Sequence, residues 1–203
     1  MPLDCSNMLD TLGALDWMTI QRTIGNNHST IIGAFASWYI HTSNDATVIE
    51  GAPSFHAGGA EPFKSDGLFC EGDNVVGILE VEGSRHDHTI RKIRKHFARK
   101  LRVLRQLRFA IYVAYSESPR GRNPHRTFPS PLTDRDFGKF SKLSRDYPNK
   151  CIAVVTLEKL VDRQLSEVRK KSEYYSGHIN CVSTRLYQNG NVSGPIQLFG
   201  ACG

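Results

Sequence analysis

The segment Lys64 to Gly83, "KSDGLFCEGDNVVGILEVEG", constrains the fold of this chain more than any other. Two largely apolar runs flank "EGDN", whose composition is that of a turn, so the segment predicts a β-hairpin. The residues "VVGIL" mark its second strand as buried. Asp66, Glu80 and Glu82 therefore stand out, because a sheet protein favours Val or Thr at such positions.

The elements around the hairpin follow from periodicity. Leu9, Leu12, Leu15, Ile20 and Ile24 sit at loosely helical spacing, and "STIIGAFASWYIHT" reads as a second helix with Ser29 as its N-cap. "ATVIEGA" (46–52) is a strand by its β-branched residues, and the glycine-bearing loop "HAGGAEP" follows it. After the hairpin, "HTIRKIRKHFARKLRVLRQL" places Ile90, Ile93, Phe97, Leu101 and Leu104 on one helical stripe. "FAIYVAY" (109–115) and "KCIAVVTL" (150–157) are buried-strand runs. Between them, Thr133 is placed to cap a helix that ends before Pro148. A further helical stripe runs through Leu157, Leu160, Val161, Leu165 and Val168, and the tail predicts a hairpin around Asn189-Gly190. This order implies an α/β protein in which a mixed central sheet is flanked by helices.

At 203 residues the chain fits one domain. Its apolar runs are too short to cross a bilayer, and the N-terminus lacks both a basic and an apolar leader region, so a cytoplasmic protein with no membrane partner is expected. Five scattered cysteines without C-x-x-C spacing read as free thiols, with Cys70 and Cys151 as small core residues. No G-x-S-x-G elbow or Walker loop is present, which removes that type of serine hydrolase and the P-loop NTPases. "RHDH" (85–88) lacks a matched third ligand for zinc and reads as part of a basic groove.

Charge is concentrated. Arg85 to Arg108 holds ten Arg or Lys against the single acid Asp87, a local +9, so the rest of a chain of net charge +6 is −3. Such a block points to a polyanion approaching one face, with nucleic acid the commonest partner of this kind. Arg85, Arg91, Lys92, Arg94 and Lys95 are the candidate phosphate contacts. The loop Ser116 to Pro131 adds Arg120 and Arg122, and reads equally well as a mobile surface loop.

Strand residues two apart share a face, so Glu80 and Glu82 project together. Asp66 joins them if the turn is the three-residue loop Gly72-Asp73-Asn74, and faces Leu79 if the turn has two residues. Three carboxylates drawn together repel one another unless a cation offsets them, and oxygen-only ligation suits Mg²⁺. The bland alternative is a solvated strand end pairing with Arg85 or Arg91.

Ser65-Asp66 followed by Glu80-Val81-Glu82 and a helix resembles the PD-(D/E)XK nuclease superfamily, in which an Asp opens one strand and an acid-x-Lys ends the next. The resemblance spans roughly residues 30–116. It implies a restriction-endonuclease-like core of helix, three strands, helix and strand, with residues 117–203 elaborating a single domain of residues 1–203. Ser65 stands where the pattern has Pro, and Glu82 where it has Lys, as in the E-x-E variants of the superfamily. The resemblance implies a metal-dependent DNA endonuclease, restriction enzymes included, that hydrolyses phosphodiester bonds with Mg²⁺ or Mn²⁺. Asp66 and Glu80 would be metal ligands, and Glu82 a ligand or base. Glu50 and Asp16 are candidates for an accessory acid, and Lys64 for the missing ammonium. A homodimer is expected, because cutting both strands needs two sites. A non-catalytic nucleic-acid-binding module on the same scaffold is the alternative, and a basic subunit for an acidic protein partner is a third.

Overall fold

Seven strands share one sheet and lie side by side in chain order. They are β1 (Ala46–Glu50), β2 (Gly67–Glu71), β3 (Asn74–Gly83), β4 (Phe109–Tyr115), β5 (Cys151–Leu160), β6 (His178–Gln188) and β7 (Asn191–Gly200). The described helices are α1 (Met8–Gly13), α2 (Asn27–Thr42), α3 (Ala98–Val103) and α4 (Asp134–Asp146). This computed structural model describes residues 3–17, 20, 27–42, 46–50, 64–83, 96–115, 132–160 and 178–200. The sheet is mixed, as an α/β chain with a hairpin requires: β3–β4 and β4–β5 are parallel, and the other neighbours are antiparallel.

The two parallel crossovers, β3 to β4 and β4 to β5, step across the sheet in the same direction. Right-handed crossovers of that kind put their helices on a common face. Residues of the α3 and α4 segments do share one: Phe97, Leu101, Phe140 and Leu143 pack with Leu68, Ile78, Tyr112 and Val154. The opposite face is covered by α2, whose Ile31, Phe35, Trp38 and Tyr39 recur at helical spacing and pack with Phe69, Leu79 and Phe109. Rings dominate there, with Tyr39 and Phe69 4.6 Å apart and Phe69 and Phe109 5.5 Å apart, centroid to centroid. Gly77 pairs with Phe109 across β3 and β4. A Cβ at Gly77 would lie 2.2 Å from Phe109 Cζ, so glycine is what lets that ring lie against β3.

Local signals are matched in several places. Thr133 and Asp136 form a reciprocal capping box at the start of α4. Asn189 (φ 49°) and Gly190 (φ 80°) join β6 to β7 in the left-handed conformations that a two-residue hairpin turn demands. Ser29 lies inside α2 rather than at its cap, because the helix begins at Asn27.

Two expectations are corrected. Leu157 and Leu160 belong to β5 and not to a helix, because Thr156 and Leu157 pair with Ser183 and Val182 of β6 and the ladder outweighs the local stripe; residues 161–177 lie outside the described residues. The cysteines are not all free: Cys5 is bonded to Cys151, their Cα atoms 5.2 Å apart, and Cys181 is also disulfide-bonded, while Cys70 remains a buried thiol. Separation along the chain concealed the first pair. Leu3, Met8 and Leu12 pack into the α2-side core that contains Cys151, and this carries Cys5 to its partner. No helix among the described residues is long and apolar enough to cross a membrane.

Candidate active site

The hairpin turn has two residues, Gly72-Asp73, since Glu71 pairs with Asn74. That turn alone would set Asp66 against Leu79. Cys70, however, pairs with Val75 and Phe69 with Gly77, which leaves Val76 as an extra residue on β3. This bulge shifts the register by one residue, so that Gly67 pairs with Leu79 and the same register carries Asp66 opposite Glu80. The acids thus meet through a bulge and not through a three-residue loop. Ile78 and Leu68 pack on the α3/α4 side, and alternation places Glu80, Glu82 and Asp66 on that side with them.

Glu80 is 7% exposed, which excludes a solvated strand end for this residue. Its partner is Lys100 of α3, an equally buried side chain whose ammonium donates to Glu80 Oε1. Burial pushes the Glu80 carboxyl up to about 7, and the Asp66 charge adds to the rise; the Lys100 ammonium and the Ser65 hydroxyl oppose it. Lys100 is one of the ten bases of the Arg85–Arg108 block, yet it does not face solvent. It turns inward because Phe97, Leu101 and Leu104, at positions i−3, i+1 and i+4, anchor that side of the segment in the core.

The turn after α3 is held by a second buried lysine. Lys150 Nζ donates to Leu104 O (2.8 Å), Arg105 O (3.1 Å) and Leu107 O (3.2 Å), and the Leu104 N–H in turn donates to Lys100 O (3.0 Å). Burial lowers the Lys150 pKa, and the carbonyls satisfy its three donors.

Asp66 is held at both oxygens. The Val81 N–H donates to Oδ2 at 2.7 Å, and His28 Nε2 lies 3.6 Å from Oδ1. His28, at the start of α2, also sits 3.0 Å from Val81 O. Burial would raise the Asp66 carboxyl, but His28 and the Val81 N–H outweigh it and hold the group below the ordinary carboxylate value. Asp66 in turn makes His28 more basic, against the effect of burial. Sequence reasoning missed His28 and Lys100, since both reach the acids only through the packing of their helices.

The site lies toward the carboxyl end of β3, where parallel α/β sheets commonly bind ligands. Tyr112 of β4 pairs with Glu80, and Ala114 with Glu82. Glu82 is half-buried and Lys64 is exposed; Glu50 ends β1. Asp16 is not among the acids: it lines a cavity of about 520 Å³ with Thr30, Ser37 and Trp38 of α2. Arg85, Arg91, Lys92, Arg94, Lys95, Arg120 and Arg122 lie outside the described residues.

Asp66 and Glu80 are the oxygen donors a hard divalent cation prefers. Among the described residues, no three His, Cys, Asp or Glu side chains are gathered in ligating geometry. The fit is therefore that of two opposed carboxylates beside one ammonium, and further ligands would have to be water or substrate oxygen. No protein-family model, curated protein or solved structure matches the chain.

Proposed function

We propose that this protein is a Mg²⁺- or Mn²⁺-dependent DNA endonuclease with a restriction-endonuclease-like core. The observation that carries the reading is the opposition of Asp66 and Glu80, with the Lys100 ammonium against Glu80. The order α2, β1, β2, β3, α3, β4, with β4 parallel to β3, supports it further. Lys100 supplies a positive charge at the acids, which the nuclease pattern draws from the position occupied here by Glu82.

A bound divalent ion would lower the pKa of a coordinated water and offset charge developing on the phosphate. Asp66, kept ionised by the Val81 N–H and His28, offers that ion a carboxylate throughout the neutral range. Glu80 must shed a proton near pH 7 to do the same, so metal occupancy rises with pH up to that point. Lys100 orients the Glu80 carboxylate, and half-buried Glu82 is the remaining acid on this face, as ligand or base. DNA approaches over the basic block, and a homodimer provides one site per strand.

The test is nicking of supercoiled plasmid with Mg²⁺ or Mn²⁺. Asp66→Ala and Glu80→Gln should each lose at least about a hundredfold in rate while DNA affinity at low salt stays within a few-fold. Unchanged cleavage in either variant ends this reading. The second reading, a nucleic-acid-binding module without catalysis, is favoured by one observation: Glu80 already has a cation in Lys100 and no third ligand is gathered among the described residues. Salt-sensitive DNA binding with no metal-dependent nicking would select it.

A further inference from the structure

We propose that Lys150, which lies outside the carboxylate site, is a positioning residue: its ammonium fixes the end of α3 and so holds Lys100 against Glu80. Its effect on cleavage rests on the endonuclease reading, and its hold on Lys100 does not. Lys150 stands just before β5 and is 6% exposed, in a place where an apolar side chain would need no partner. Its own N–H donates to Tyr147 O (3.1 Å), and the Tyr147 N–H to Leu143 O (2.9 Å) at the end of α4. The backbone of Lys150 is thus anchored on one helix while its ammonium serves the other. That ammonium donates to Leu104 O at 2.8 Å, Arg105 O at 3.1 Å and Leu107 O at 3.2 Å, across 43 to 46 residues of sequence. The next residue ties the same end of the sheet. The Cys151 N–H donates to Arg108 O (2.9 Å), and the Arg108 N–H to O of Val76 (2.8 Å), the bulge residue that sets Asp66 opposite Glu80.

Little in the local sequence ends α3 where it ends. The described helix has six residues, too few to hold a helix by themselves. The sequence after it, "LRQLR" (104–108), contains no Gly or Pro stop. Leu104 leaves the helix at φ −87° and ψ 86°, not in the left-handed conformation of a glycine cap. Carbonyls at a helix end need donors from elsewhere, and the helix dipole favours a cation there. The apolar anchors Phe97, Leu101 and Leu104 choose which side of α3 faces the sheet, but burial is not directional. Three hydrogen bonds from one ammonium are directional, and they fix the carbonyls that accept them. The link from there to the site is short: the Leu104 N–H donates to Lys100 O (3.0 Å), and the Lys100 ammonium donates to Glu80 Oε1. A slip of α3 by one residue would move Lys100 by about 1.5 Å along the axis and turn it by about 100°, which takes it off the buried carboxylate.

Heteronuclear NMR of the lysine ammonium groups tests the hold directly. The Lys100 signal, identified by its disappearance in Lys100→Arg, should exchange slowly with water in the parent and be lost to exchange in Lys150→Met. Should Lys150→Met fail to fold, Lys150→Gln, which keeps two of the three donors, takes its place, and faster Lys100 exchange is expected. A Lys100 signal that exchanges as slowly in the folded variant as in the parent overturns the proposal. In plasmid nicking the same variant should lose about tenfold in kcat with KM for DNA unchanged, because Glu80 is misplaced and DNA binding is not. A role in stability alone would lower the melting temperature and leave both readouts unmoved. An unchanged kcat beside a lost Lys100 signal overturns the effect on cleavage and upholds the hold on Lys100. A parent that does not nick DNA overturns that effect together with the endonuclease reading, and the NMR result still decides the hold on Lys100.

Discussion

The two faces of the sheet are built on different physics. Beneath α2 the core is aromatic and apolar, with Phe35, Tyr39, Phe69 and Phe109 all fully buried. Beneath α3 and α4 the same sheet buries Glu80, Lys100, Asp136 and Lys150 among its apolar residues. The first face is held by area removed from water and by close packing, which do not depend on pH. The second relies on compensated charges, each of which becomes costly when its partner is lost. The charges kept out of water at this expense lie on the face that carries the proposed site.

That contrast can be broken experimentally. Phe35→Ala should destabilise the protein by about 3–5 kcal/mol, by the same amount at pH 5 and pH 8 in urea unfolding. Lys100→Met should destabilise by a similar amount, about 3–5 kcal/mol, at pH 8, where the unpaired Glu80 must either stay buried as an anion or take a proton from a solvent that holds few, since losing the ammonium raises its pKa further. At pH 5 the loss should shrink, because Glu80 then carries a proton. Equal losses at the two pH values would mean that the two faces do not differ in kind.

Smaller effects sharpen the same contrast. Gly77→Ala drives a methyl into the Phe109 ring on the apolar face and should cost about 1–3 kcal/mol, read as a lower urea midpoint with unchanged m-value. The pH profile of the parent probes the charged face directly. Glu80 titrates near 7 folded against an ordinary 4.5, so the folded state holds a proton that the unfolded state releases, and stability declines as pH rises between those values. Asp66 acts oppositely: its lowered pKa contributes stability above the ordinary value of 3.8 that is lost as pH falls through its folded value. Glu80→Gln should flatten the decline between pH 4.5 and 7 and leave the acid limb in place.

Much of this fold is legible in local signals. The β2–β3 and β6–β7 hairpins, the α4 cap and the apolar strands β4 and β5 follow from turn chemistry, capping residues and short-range periodicity, which act between residues close in the chain. So does the sharing of one face by Glu80 and Glu82, since strand alternation is a local property. Leu157 shows the limit of such reading, because a helical stripe yields to pairing with β6. What joins Asp66 to Glu80 is the extra residue Val76, whose bulge depends on how two strands pack and not on either sequence alone. Lys100, His28 and Tyr112 come to the acids from three separate elements, and Cys5 reaches Cys151 across a sequence separation of 146 residues. Sequence alone determined which residues are strand, turn and acid; tertiary packing decided which charges meet, because a contact between distant residues is set by the register and crossover of the elements that carry them.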